Sequence, residues 1–255
     1  MSVNFANDPE FNDVIPKRRS GRRFGLIEIL VSLAIIALLI AIMIPATRSA
    51  GPAARRAQCT NNLKQIALAL HNYEQAYQAL PPAYTVDAQG RPLHSWRTLI
   101  LPYLEQEPLY RSIDLSKPWN DPANARARET VLPVFRCPEA TGPQNTTTYL
   151  AIVASDGCFI PTESRRLAEI KDDTSSTLMV IEAGEENAVP WMAPADAGES
   201  LVMTFGPTTK LHHAGGTNAS LVDGSVRFLK ASTPAEVRRA LISISGNDNK
   251  AAIDW

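Results

Sequence analysis

The sequence predicts an α+β protein in which a long N-terminal helix packs on an antiparallel sheet. Three observations carry this. An apolar run from Leu26 to Ile44 passes into a helical stripe that reaches almost to Pro81-Pro82. The β-rich runs all follow residue 145, and helices placed before strands are the order of a segregated α+β fold. Asp223-Gly224 stands between two such runs, ASLV and SVRFL, as a type I′ hairpin turn does.

The chain divides by composition into a leader (1–23), a span (24–46) and a body (47–255). The leader is polar and ends in Lys17, Arg18, Arg19, Arg22 and Arg23. The span reads LIEILVSLAIIALLIAIMI, polar only at Glu28 and Ser32. As a helix it would be about 28 Å long, close to the thickness of a bilayer's hydrocarbon core. A buried core helix, a cleaved secretory signal with small residues at Ser49-Ala50-Gly51, and a retained membrane anchor compete for it. The absence of a solvent face weighs against the first. A length beyond the usual signal h-region weighs against the second, so the anchor is preferred. The basic residues before the span place the N-terminus in the cytoplasm and the body outside it, although Arg48, Arg55, Arg56 and Lys64 follow the span. Glu28 costs about 2.5 kcal/mol or more inside a membrane. Either it reaches the interface and Arg22 or Arg23, or it meets a cation on another subunit.

Pro45 should kink the helix, since it lacks an N–H and crowds the preceding turn. Over 52–79 the stripe Leu63, Ile66, Leu70, Tyr73 and Tyr77 repeats with a helical period. Residues 95–105 look helical or mixed, broken at Pro102, and 121–131 form a short polar helix. Strands are expected at Tyr149–Ala154, Leu178–Glu182 and Leu201–Phe205. Thr233-Pro234-Ala235-Glu236 has the pattern of a capping box opening a C-terminal helix.

The 255 residues hold 25 Lys+Arg and 26 Asp+Glu, a net charge of −1 that gives no global electrostatic footprint for nucleic acid. A 45% apolar composition excludes disorder throughout. Among the four histidines there is no HExxH, and the chain has no CxxC, GxSxG or GxxxxGK[ST], so no cofactor, metal or catalytic residue is expected. One cluster stays open: His212, His213 and Asp223, which a hairpin could bring together. The simpler reading makes Asp223 a turn residue and leaves the histidines in the Gly-rich loop His213-Ala214-Gly215-Gly216. Three cysteines allow three pairings, of which Cys59–Cys137 is preferred because it would staple the helix to the later body. Cys158 is then simply buried.

Phe24-Gly25-Leu26-Ile27-Glu28, the apolar run and Pro45 resemble the prepilin-type N-terminal segment of type IV pilins and type II secretion pseudopilins. ARRAQCTNNLKQI from Ala54 to Ile66, Leu70-His71-Asn72-Tyr73, Trp96, the stretch from Leu99 to Gln106, and Phe135-Arg136-Cys137-Pro138 are similar to the DUF1559 family of pilin-like proteins. His213 and, nine residues on, Asp223-Gly224 match that family's C-terminal H-X9-DG signature. The resemblance runs over residues 22–230 and implies a pilin-like fold. It also implies roles in assembly and register for Phe24, Glu28 and Pro45, and processing between Arg23 and Phe24. Arg23 stands where prepilin peptidase substrates carry glycine; if the leader stays on, Glu28 lacks the Phe24 amine as a partner.

Together these readings lead to a non-enzymatic subunit or accessory of a type IV pilus-like or type II secretion-like assembly. It would lie in the inner membrane as a single-pass protein with a periplasmic or extracellular body. Its partners would be the lipid bilayer and other pilin-like subunits or assembly machinery, not nucleic acid. The alternative is a membrane-anchored periplasmic module that binds a glycan or an ion through loops around Trp191, His212 and His213.

Overall fold

The computed structural model describes residues 25–246, and of 38–50 the backbone alone. The leader, Arg23 and Phe24 therefore lie outside the described residues, as does the Pro45 side chain. Helix α1 runs Leu26–Tyr77. The chain forms two compact units, 1–50 and 51–255, each described by itself.

In the first unit, Glu28 closes the start of its own helix. Its carboxylate accepts from the Gly25 N–H at 3.1 Å, and its carbonyl accepts from the Ser32 hydroxyl at 2.7 Å. This satisfies one of the backbone donors that a helix start leaves free. Leu26, Ile27, Leu30, Leu33, Ile35 and Ile36 are all exposed. Among the described residues no helix is long and apolar enough to cross a membrane; side chains of the Leu26–Ile44 run are described only as far as residue 37.

In the second unit the stripe of α1 is the spine of the core. Cys59, Leu63, Ile66 and Leu70 are fully buried, at spacings of one helical turn. Each large aliphatic side chain so buried contributes about 1.5–3 kcal/mol. Tyr73 is half-buried and packs between Tyr77 and Tyr103, at centroid distances of 4.4 and 6.1 Å. Tyr77, expected on the stripe, is exposed, because the helix stops there. Gln78 turns left-handed with φ 60°, so the helix ends before Pro81-Pro82 is reached.

A hairpin follows, β1 (Tyr84–Val86) with β2 (Pro92–Ser95), and then α2 (Trp96–Leu99), whose first turn is capped by the Ser95 hydroxyl. A 3₁₀ turn through Pro102 leads to α3 (Glu107–Arg111). The polar 121–131 segment holds a 3₁₀ turn and α4 (Ala125–Arg128). β3 (Thr146–Thr147) and β6 (Val189–Pro190) form a second small pair. The main sheet has the order β7-β4-β5-β8-β9, from β4 (Tyr149–Val153), β5 (Leu178–Glu182), β7 (Ala197–Gly198), β8 (Gly216–Leu221) and β9 (Val226–Lys230). It is antiparallel except where β7 joins β4 in parallel.

Alternation along β4 sorts the core into two layers. Tyr149 and Ala151 join the α1 cluster, while Leu150 and Ile152 join a second cluster under α5 (Glu199–Thr204) and α6 (Ala235–Ile242). With both faces covered, β5 is buried along its whole length.

Three local expectations change. Leu201–Phe205 is not a strand: Leu201–Thr204 form most of α5 with Val202 buried, and Phe205 is the extended residue that ends it; a short apolar run cannot distinguish helix from strand by periodicity. The Asp223-Gly224 turn is not type I′. Its loop is Val222-Asp223-Gly224, and of these only Gly224 takes a positive φ, 83°, which describes a three-residue loop with a left-handed last residue. The capping box at Thr233 does not form: α6 begins at Ala235 after Pro234, with no side-chain cap.

Candidate functional site

Four elements of the second unit deliver one side chain each to a single buried point. Cys59 comes from α1, and Cys137 from the loop just after the 3₁₀ turn Pro133–Phe135. Glu182 is the last residue of β5, and His213 lies just before β8. Their donor atoms all lie within 4.8 Å of one another. The two sulfurs are 2.9 Å apart, and His213 Nε2 is 3.3 Å from Glu182 Oε2. Both cysteines are fully buried, Glu182 is 1% exposed and His213 7%.

This proximity sets the charges. The Cys137 thiol donates to Cys59; with lesser help from His213 and Tyr149 this outweighs burial and lowers Cys59 to about 7. Cys137 is pushed up by the same hydrogen bond, by burial and by the nearby Glu182 carboxylate. Burial works against a charged His213, yet the Cys59 sulfur and Glu182 raise it to about 9. Burial likewise opposes a charged Glu182, but His213, Cys137 and Asn218 hold it below the usual carboxylate range. Cys59 is thus the more acidic of the two thiols with Cys137 as its donor, and His213 and Glu182 favour each other's charged forms.

A surrounding set of hydrogen bonds fixes these groups. Asn218 donates to Glu182 Oε2 at 2.8 Å, and the Thr217 hydroxyl donates to the Glu182 carbonyl. Thr60, next to Cys59, reaches Asn218 Oδ1 at 3.4 Å. Asn62 donates to the carbonyls of Pro133 and Arg136, at 3.2 and 3.0 Å, and so ties the loop bearing Cys137 to α1. A cleft of about 230 Å³ bordered by Arg56, Glu139, His212 and His213 opens on one side. Another of about 320 Å³, bordered by Gln58, Arg136 and Cys137, opens on a second.

The structure brings Cys59 and Cys137 together, with both thiols free. It does not pair His213 with Asp223. Asp223 accepts from the Ser225 N–H in the turn, and a Cβ on Gly224 would meet His71 Nε2 at 3.5 Å. His213 is thus beside residue 59 of α1 and Gly224 beside residue 71, about 18 Å further along the helix. The nine intervening residues carry β8 across that distance. His212 faces Glu185 at 3.7 Å and takes no part in the cluster.

Trp191 is not a surface aromatic. It is buried, its indole donates to the Thr130 carbonyl at 3.0 Å, and it stacks on Phe135. Cys158 is fully buried, which pushes its thiol up to about 12. His94 is a core histidine, bonded to the Lys117 carbonyl at 2.8 Å. Glu182 was not singled out by the sequence reading, because it closes an apolar strand with no motif around it. Arg97 and Asp196, a buried ion pair at 2.7 Å, were missed because they are far apart in the chain and carry no local sign of each other.

The fold and this point define a class: an α+β body assembled on the second half of a long helix, with a buried Cys₂-Glu-His cluster at the helix face. Residues 48–206 match the family model described as a protein of unknown function, DUF1559, and the chain belongs to that family. The H-X9-DG residues lie beyond the matched stretch. No curated protein and no solved structure matches the chain.

Proposed function

We propose that the chain is a membrane-anchored, pilin- or pseudopilin-like subunit or accessory of a type IV pilus-like or type II secretion-like assembly. It acts by packing and surface contacts and not by catalysis. The observation that carries this reading is the contrast along α1. Its first turns expose Leu26, Ile27, Leu30, Leu33 and Ile36 to their surroundings, whereas its later turns are the spine of a folded body. Exposed apolar side chains on every side of a helix call for lipid or neighbouring helices as cover. The Glu28 carboxylate, which accepts from the Gly25 N–H, in this reading also receives an amine of a neighbouring subunit. In this reading the body faces the periplasm or exterior, and the partners are the bilayer and further pilin-like subunits.

The test is the N-terminus and intact mass of the protein purified from its native membranes. A start at Phe24 or at Met1, in the membrane fraction, is the expected result; the former adds a filament role and the latter a permanent anchor. A start near Ala50 or Gly51 in the soluble fraction overturns the reading.

A further inference from the structure

We propose that Cys59, Cys137, His213 and Glu182 form a structural zinc site. The inference needs neither the membrane anchor nor the assembly role. Two thiolates, one imidazole and one carboxylate are a complete four-donor set for Zn²⁺, and two soft sulfurs disfavour Mg²⁺ and Ca²⁺.

The spacing fits. A tetrahedron with ordinary zinc bond lengths has edges of about 3.3 Å between nitrogen and oxygen donors and about 3.8 Å between sulfurs. His213 Nε2 and Glu182 Oε2 are 3.3 Å apart, and the sulfurs, at 2.9 Å, need to part by less than one ångström.

The alternative use of the two cysteines, a disulfide, accounts for less. It would leave a buried carboxylate and a buried imidazole side by side with no task. Glu182 Oε1 has no hydrogen-bond partner, and His213 Nε2 faces Glu182 Oε2 at 3.3 Å without hydrogen-bond geometry; both atoms belong to side chains more than nine-tenths buried. Leaving such atoms without good partners costs free energy; a cation at the centre of the four donors would take Nε2 as a ligand and neutralise the carboxylate that carries Oε1. The second ring of contacts also has the form that metal sites use. Asn218 orients the carboxylate, Thr60 orients Asn218, and Asn62 holds the loop of Cys137. With four protein donors and no open position, the ion would be structural: it clips α1, β5, the loop after Phe135 and the chain entering β8 into one body.

Full-length protein in detergent, reduced and stripped with a chelator, is titrated with Zn²⁺ and, as a spectroscopic probe, with Co²⁺. The expected results are one zinc per chain by native mass spectrometry, and cobalt spectra with thiolate charge-transfer and tetrahedral d–d bands. Cys59→Ser and Cys137→Ser should each weaken binding by about 100-fold or more and lose charge-transfer intensity. The near-isosteric Glu182→Gln and His213→Gln should keep the thiolate bands and weaken binding at least about 10-fold. Asn218→Ala, one step removed, should also weaken it about 10-fold. Zinc should raise the Tm of the wild type and not that of Cys137→Ser.

The wild-type titration decides the matter even if a variant fails to fold. No stoichiometric zinc uptake by the reduced protein, or cobalt spectra without thiolate bands, overturns the proposal. So does zinc uptake that survives in a folded Cys59→Ser or Cys137→Ser protein.

Discussion

Replacing Arg97 with methionine should come close to unfolding the body. All five N–H groups of Arg97 have an acceptor: the carbonyls of Trp191 (2.9 Å), Tyr149 (3.2 Å), Ala193 (3.0 Å) and Ala195 (2.8 Å), and Asp196 Oδ1 (2.7 Å). The side chain is entirely enclosed. Methionine replaces its unbranched apolar stem but stops short of the guanidinium and donates nothing. Asp196 would keep its bonds from the Trp96 indole and the Ala151 N–H, but its charge would have no counterpart. Removing one partner of a buried pair costs about 3–5 kcal/mol, and the four carbonyls left short of a donor add to it. A loss of about 4 kcal/mol or more is expected, against a total domain stability of about 5–15 kcal/mol. Urea unfolding followed by the fluorescence of the buried Trp96 and Trp191 measures it.

The double variant Arg97→Met/Asp196→Asn removes the stranded charge while keeping an acceptor for the indole. It should recover about 2 kcal/mol of the loss. The pH dependence has a definite sign. Burial pushes Asp196 up even with Arg97 present, and without Arg97 it rises further. The folded state then holds a proton that the unfolded state releases, so the Arg97→Met protein should lose stability as pH rises from about 4 toward neutrality. A loss below about 1 kcal/mol for Arg97→Met, or a double variant no more stable than the single one, would refute the reasoning.

Two further perturbations test the parts that frame the cluster. A Cβ at Gly216 would overlap the Leu229 carbonyl oxygen and come within 2.8 Å of the Phe228 ring and 3.0 Å of Lys230 Cα. Gly216→Ala should therefore push β8 from β9, cost about 1–3 kcal/mol, and weaken amide exchange protection in both strands; unchanged protection would show that the strand start tolerates a side chain. Asp87 accepts from the Gln89 and Arg91 N–H groups, both at 2.9 Å, and from the Arg91 guanidinium at 2.6 Å. These bonds, the Arg91 N–H first, hold its carboxyl below the ordinary value. Their stabilising effect is complete above the usual aspartate range, near pH 4, and is lost as pH falls through the lower folded value. A carboxyl-carbon NMR titration should place Asp87 below about 3.9, and a midpoint at or above that would contradict the geometry.

What could be read from the chain alone divides along the range of the interactions. The stripe Leu63, Ile66 and Leu70 was legible because a helical face is a local repeat, and β4 and β5 were legible as short apolar runs. α5 was misread because Leu201–Phe205 is equally apolar in either conformation, and only its packing with α6 decides it. Tyr77 was assigned to the core because periodicity marks a face but not where a helix stops. The H-X9-DG spacing could be quoted but not interpreted. Its length is that of strand β8 with its two connections, and the histidine's partners come from α1, β5 and the loop after Phe135, which carry no local sign of each other.

The absence of a metal motif from the sequence has the same physical cause. CxxC and HExxH are legible because two donors share one turn or one helical face, so that local geometry alone sets their spacing. Here each element supplies one donor, and no pair of them is closer in the chain than Glu182 and His213. A site of this kind forms only when the body is already folded around α1. Its donors must therefore be held by the fold: by Asn62 on the Cys137 loop, by Asn218 on Glu182, and by the tight Gly216 contact that sets where His213 enters the sheet. Changes at these three positions should loosen the cluster without altering any of its four donors, and a purely local motif would not respond to them in that way.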